Sequence, residues 1–366
     1  MNHILVFSIL VFCLSCQKKQ EEKGLEKEIR FSTNVSDIPI DTLFEDIKYT
    51  PLELTDSSLV GDIKRIVLYN TDLYIYDRSD GIIVFDMNGK YKYRLQHKGN
   101  GIGEYAYMFN FNMNNQGDIS IISRPSFIYT YTNDDQFVSR IMLEGVSIKD
   151  IYYLNDSTLL VRSADDQDGY KINIVDMNKK QITHSYHPIQ GRMLDFCMND
   201  CFTTYNGKLL LNTYQSLDIY ELTKDSLSIR YTVNVSGKVP PRDFWDRKIP
   251  DWQLIAEWES SNFIAHIPCF TETDRSVLLR YEGKSEESKG YAFVNKKTAL
   301  PYVFKKIIWD DKFRWEPEFM YPLNDGYVAI CLSASVLLEQ GSETMKERFP
   351  NLHEESNPIL MLAKVK

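Results

Sequence analysis

One short pattern constrains this chain more than any other feature: a polar turn followed by a run of β-branched and aromatic residues. It recurs as YNTDLYIYD from Tyr69, NNQGDISII from Asn114, LNDSTLLVR from Leu154, YNGKLLLNT from Tyr205, ETDRSVLLR from Glu272 and LNDGYVAIC from Leu323. The copies lie about 40 to 50 residues apart, with one step near 67, the spacing of propeller blades. A further strand and a tight turn often follow, as in GIIVFDMNGKYKYRL, where Asn88-Gly89 between alternating residues signals a hairpin. Each copy therefore reads as a four-stranded meander. One such sheet cannot bury both faces alone, whereas a ring of six around a channel buries them and leaves only short edges. The expected fold is all-β, a six-bladed β-propeller of four-stranded meander blades over residues 28–366. The 23 tyrosines and 19 phenylalanines suit strands, and the 43% hydrophobic content is ample for a core.

Six units end near Met361 to Lys366, so one strand must come from elsewhere to close the ring. The extended runs Glu28–Ser32 and Ile47–Leu54 are the available donors, which makes an N-terminal strand the expected closure. Ahead of them, MNHILVFSILVFCLSCQKKQEEKG carries an apolar run from Ile4 to Ser15, too short to span a bilayer but suited to the core of an export signal. It becomes abruptly polar after Leu14-Ser15-Cys16. Residues 1–15 are expected to be a signal peptide, and Cys16 an acylated first residue that holds the protein to a membrane. Residues 16–27 are charged, nearly free of apolar side chains, and read as a flexible tether.

The Leu-Ser-Cys box, the stretch VFDMNGKYKYRLQHKGNGIGEY and the terminal NPILMLAKVK together resemble the six-bladed propeller lipoproteins of Bacteroidetes, related in pattern to NHL repeats. The resemblance covers roughly Lys27 to Lys366; where that family carries G-x-G-P-G-E-Y, this chain has Ile102 in place of the proline. Gln20-Glu21-Glu22 also resembles the acidic export tags of surface lipoproteins in that group. The resemblance implies a lipid-anchored envelope protein, in the outer membrane and exposed at the surface. It implies no particular activity, because the family has none in common.

Several chemistries are disfavoured by spacing. Gly99, Gly101 and Gly103 form G-x-G-x-G with no helix after them, so they read as a turn between blades rather than a phosphate cradle. The net charge of −9, with basic residues scattered, argues against nucleic acid. His184, His187, Cys197 and Cys201 match no structural zinc spacing, and the other mature cysteines are Cys269 and Cys331. Aligned on Gly169, a calcium loop would need ligands where Ala164 and Val175 stand. No metal site, cofactor or catalytic residue is assigned.

Strand parity sends the links between second and third strands, and those between blades, to one face. That face collects the long segments, above all the insertions at residues 237–262 and 335–357, the glycine loop and WDDKFRWEP at Trp309 to Pro317. Binding loops on rigid scaffolds are placed this way. In PRDFWDRKIPDWQLIAEWESSNF, Asp251 is expected to cap a short helix running to Trp258, forming a helical insertion between blades 4 and 5. Its tryptophans suit either a lid packed on the propeller or a platform for a sugar or peptide. The acids Asp165, Asp166, Asp168, Asp310, Asp311, Glu354 and Glu355 lie on the same face. The candidate binding residues are Trp245, Trp252, Trp309, Arg242 and Glu104, lining a cleft at the channel mouth. The expected function is noncatalytic binding or scaffolding of a glycan, peptide or envelope protein; the alternative is a glycan-active hydrolase or lyase with acids at the mouth.

Overall fold

A computed structural model describes residues 25–366 apart from 80, 124–125, 164–168, 190–201, 214 and 224–225. Cys16 with its leader and most of its tether, Asp165, Asp166, Asp168, Cys197 and Cys201 lie outside the described residues. The fold is an all-β propeller. Five antiparallel meanders follow one another over residues 63–95, 110–142, 148–188, 202–235 and 264–304, and a last one joins strands between 320 and 365 to the N-terminal strand Phe44–Pro51.

The burial of each strand follows from its place in the ring. In Asp72–Asp77, Leu73 and Ile75 pack towards the last meander, while Tyr74 and Tyr76 pack towards the second. Alternate side chains thus face two different neighbours, which is why the run LYIY is apolar throughout rather than alternating. Fourth strands have only one packed face. Phe137–Met142 and Gln181–Pro188 are accordingly mostly exposed and carry the polar residues that blunt an edge.

Separate apolar clusters fill the wedges between meanders. Phe111 and Tyr131 meet Ile82 and Val84 between the first and second; Ile122 and Ile141 meet Leu159 and Val161 between the second and third; Leu160 meets Leu211 and Tyr220 between the third and fourth. Leu210 and Val233 meet Phe270 and Leu279 between the fourth and fifth, and the largest cluster joins the fifth, the last and the first. The chain of wedges returns to its start, which is the geometry of a closed ring.

The expected count needs correction. Seven sheets form among the described residues, not six: a small three-stranded sheet of Ile38–Pro39, Ile307–Ile308 and Arg314–Trp315 is inserted in chain order between the fifth meander and the last. Its strands are two residues long, so they leave no alternation to read, and WDDKFRWEP reads as a loop. Ile38, Ile307 and Trp315 nevertheless bury their side chains in the largest cluster.

The two N-terminal runs take different places. Phe44–Pro51 pairs antiparallel with Ile359–Val365, from Phe44 opposite Val365 to Pro51 opposite Ile359, and completes the last sheet. Glu28–Phe31 instead adds a fifth, parallel strand to the outer edge of the fourth meander, with Glu28 opposite Thr232. Gly89, in the turn of the first meander, has φ of 82°, and a Cβ there would stand 2.0 Å from the Pro51 carbonyl oxygen, so only glycine lets that turn lie against the closing strand.

The helix of the 237–262 insertion spans Asp251–Ser261, with Pro250 at its N-cap, no side-chain cap, and Asn262 in the left-handed region at its end. The expected Asp251 cap is thus replaced by a proline ahead of the helix, and Asp251 sits in the first turn beside the exposed N–H groups. The helix buries Leu254 and Trp258, one turn apart. Two further helices, Ala334–Gln340 and Glu343–Arg348, lie in the 335–357 insertion, capped by Ser333 and Ser342, whose hydroxyls accept from the N–H groups of Val336 and Met345.

Candidate functional site

First strands line the channel, and a buried ion pair crosses it. Arg65 of the first meander donates from Nη1 to Asp150 Oδ1 of the third at 2.7 Å, and the same oxygen accepts from Asn110 Nδ2 of the second at 3.0 Å. Asp150 is fully buried, so this carboxylate ties three meanders together. Two cavities of about 420 Å³ each open along the channel and share Lys64, Phe319 and Tyr321 at their junction. One opens on the face of the long links; the other, walled by aromatic and asparagine side chains, lies towards the short hairpin turns.

The long-link cavity is built from Val60–Lys64, the fifth meander and the start of the 335–357 insertion. Arg280 lies in its wall, its Nε 3.2 Å from Glu282 Oε2 and its Nη1 3.2 Å from the Tyr291 hydroxyl, and it also donates to the Glu318 carbonyl. Its guanidinium stands 5.5 Å from the ring centre of Tyr291 and 5.4 Å from that of Phe319. Burial, with Arg280 and Arg162 nearby, pushes the His266 imidazole down to about 3, which keeps it neutral. Burial also lifts the Cys331 thiol to about 12, so it stays protonated. Both Cys269 and Cys331 are free thiols.

Charge in this cavity is unbalanced. Asp62, Glu282, Glu318 and Glu354 face Lys64 and Arg280. Lys64 pairs with Asp62 at 2.6 Å and Arg280 with Glu282 at 3.2 Å, which leaves Glu318 and Glu354 with no ion-pair partner among the described residues.

The structure does not bring the five expected binding residues together, and none of them lines either cavity. Trp245 is buried with Phe244, Leu254, Trp258 and Ala265, its ring 6.2 Å from that of Trp258. Trp252, on the same helix, is 72% exposed, and Arg242 is exposed nearby. Trp309 packs on the largest cluster, 6.0 Å from Tyr49 and 6.3 Å from Trp315. Glu104 turns back on the glycine loop, where Oε2 accepts from the Gly101 N–H at 2.8 Å. The loop itself is a turn: Gly99 N–H donates to the Tyr105 carbonyl, Tyr105 N–H to that of His97, and Gly103 has φ of 77°.

Of the singled-out acids among the described residues, Glu354 alone lines one of these two cavities; Asp310 Oδ1 instead accepts from the N–H groups of Lys312 and Phe313, and its Oδ2 accepts from Ser342. His266, Arg280 and Glu282 escape a search of loops because they lie in strands. Their signal is a titratable residue interrupting an apolar run, as in IAHIPCF and SVLLRYEG. His184 and His187 form no metal cluster among the described residues; His184 Nδ1 meets its neighbour Thr183, and His187 packs 4.5 Å from Tyr220.

The tryptophans of the helical insertion now divide. Trp245→Ala is expected to destabilise by about 3–5 kcal/mol, as for a buried aromatic, whereas Trp252→Ala stays within about 0.5 kcal/mol of the parent. Urea denaturation midpoints of the two variants check this; equal losses would contradict the assignment.

The fold recurs among solved structures. A Bacteroides fragilis protein that its name describes as exported superposes with a TM-score of 0.78 at 20% identity, covering 93% of this chain and 99% of its own. A member of the DUF4221 family from Bacteroides vulgatus gives a TM-score of 0.50 at 11% identity, covering 88% and 97%. At these identities the likeness shows fold alone. No curated protein matches the chain. The sequence profile of one family spans residues 27–364, nearly the whole described chain, and the protein is a member of that family, the domain of unknown function DUF4934.

Proposed function

We propose that this protein is a noncatalytic binding propeller of the bacterial cell envelope, held to the membrane through acylated Cys16. It captures a peptide or protein partner by a basic side chain at the long-link mouth. The observation that carries the reading is the mouth itself: Glu318 and Glu354 have no cation partner there. A ligand ammonium or guanidinium would complement that charge, through an attraction between exposed groups that salt screens.

Two groups in the same cavity are poorly suited to turnover. A thiol lifted to about 12 is protonated at neutral pH and a weak nucleophile, and an imidazole with a pKa of about 3 accepts a proton weakly. Export is supported by the apolar leader and by likeness to a protein described as exported. The outer membrane is the favoured location, on the resemblance of Gln20-Glu21-Glu22 to the acidic export tags of surface lipoproteins.

Two experiments test the reading. Replacing Cys16 with Ala should move the protein from membrane to soluble fractions; a variant that still sediments with membranes after a high-salt wash contradicts the anchor. For the mouth, calorimetric titration with lysine- and arginine-containing tetrapeptides should show saturable binding that weakens as salt rises. Glu318→Gln with Glu354→Gln should weaken it about tenfold, near 1.4 kcal/mol. Unchanged affinity in the double variant contradicts the site. New reducing ends or unsaturated products from cell-wall or dietary glycans would favour a hydrolase or lyase instead.

A further inference from the structure

The second cavity differs from the first in chemistry. It lies towards the short hairpin turns, and its walls include Tyr152, Phe202, Phe319, Tyr321 and Tyr327, whose rings give broad apolar area. Tyr152 and Phe202 stand 5.6 Å apart, centre to centre, and tilted by 49°.

Several polar groups in this cavity lack a partner among the described residues. The pleat puts Asn110 and Asn112 on one side of their strand, and Asp150 and Tyr152 on one side of theirs. Asn110 and Asp150 bond to each other at the waist, 3.0 Å apart. The next step outward, Asn112, lines the cavity at only 7% exposure, and its side-chain amide bonds to no described residue. Those amide atoms stay accessible from the cavity, so a group that both donates and accepts fits there best. The Tyr152 and Tyr327 hydroxyls likewise bond to no described residue.

The cavity's charges narrow the ligand. Its two cations are taken, Lys64 by Asp62 at 2.6 Å and Arg65 by Asp150 at 2.7 Å, which leaves none for a phosphate or carboxylate. The exposed Asp325 at the rim repels an anion further. A purely apolar ligand would bury Asn112 unsatisfied. A sugar ring meets every condition: its C–H face stacks on aromatic rings and its hydroxyls donate and accept at the amide and phenol groups. The volume of about 420 Å³ lies within the range of small-ligand pockets.

We propose that the short-turn end of the channel is a second ligand site, which takes an uncharged saccharide unit between its aromatic wall and the Asn112 amide. It lies at the opposite end of the channel from the mouth and adjoins it through Lys64, Phe319 and Tyr321. Calorimetric titration of the purified protein with maltose, cellobiose and N,N′-diacetylchitobiose tests it, with galacturonate and lysine amide as charged comparators. At least one neutral disaccharide is expected to bind saturably, with Asn112→Ala and the near-isosteric Asn112→Asp each weakening it about tenfold or more while the circular dichroism spectrum stays that of the parent. Tyr152→Ala should weaken it as well, through the lost stacking face. Three results overturn the proposal: no saturation by any neutral disaccharide up to about 50 mM, on the scale of millimolar weak binding; tighter binding of a charged comparator; or an affinity unmoved by both Asn112 variants.

Discussion

The channel wall depends on the pairing of Phe44–Pro51 with Ile359–Val365. This joins the two ends of the chain, and the entropy of such a closure grows only with the logarithm of the loop length, so a ring this large is not prohibitively expensive to close. Phe44 and Val365 are almost fully buried, and the Lys366 N–H donates to the Leu43 carbonyl at 3.0 Å beyond the last paired residue. The closure also places the mouth. Leaving the closing strand, the chain runs through residues 52–60, where Asn357 accepts from the Val60 N–H at 2.9 Å and donates to the Glu53 and Ser58 carbonyls at 2.8 and 2.7 Å. Val60 to Lys64 then form one wall of the long-link cavity.

Inside the ring, buried charges are held in pairs. Arg65 and Asp150 cross the channel, and between the fourth and fifth meanders Glu272 accepts from Arg230 at 2.6 Å, from the Tyr231 hydroxyl at 2.8 Å and from Lys296. Removing one member of such a pair strands the other without solvent, which costs far more than an exposed pair is worth. Each cavity adds polar groups without a protein partner among the described residues: the exposed acids Glu318 and Glu354 in one, and the Asn112 amide in the other. Such groups are open to a ligand.

Much of the fold is legible in the sequence because the propeller imposes a period on it. Turn residues mark each hairpin: Asn206 and Gly207, with φ of 50° and 71°, give the double positive φ that joins two strands tightly. The small sheet is not legible, since two-residue strands such as Ile307–Ile308 have no period. The fate of Glu28–Phe31 is hidden for another reason: a parallel partner across the fourth meander is fixed by tertiary packing, and an extended run carries no sign of which edge it will cover. The site is less legible than the fold. Tryptophans and acids in long links attract attention as loop residues, yet Trp245 is lid core, Trp309 packs against Tyr49, and Glu104 bonds to its own loop. Several cavity residues belong to strands, where Arg280, His266 and Asn112 look like interruptions of an apolar pattern. Only closure of the ring turns those interruptions inward to a common space.

At the long-link mouth His266 is buried too deeply to serve as an acid–base group, and its ionisation can be followed directly. Burial disfavours the charged imidazole, so its pKa lies near 3 rather than the ordinary 6.5. The unfolded chain therefore takes up this proton first as pH falls, and His266 withdraws stability between about pH 6.5 and 3. Nuclear magnetic resonance of the imidazole carbon-bound protons, assigned with a His266→Gln variant, follows the ring itself. His266 is expected not to titrate between pH 8 and about pH 5, where ordinary histidines complete their titration. A midpoint between about 6 and 7 would give the mouth a working general acid–base group and contradict this expectation.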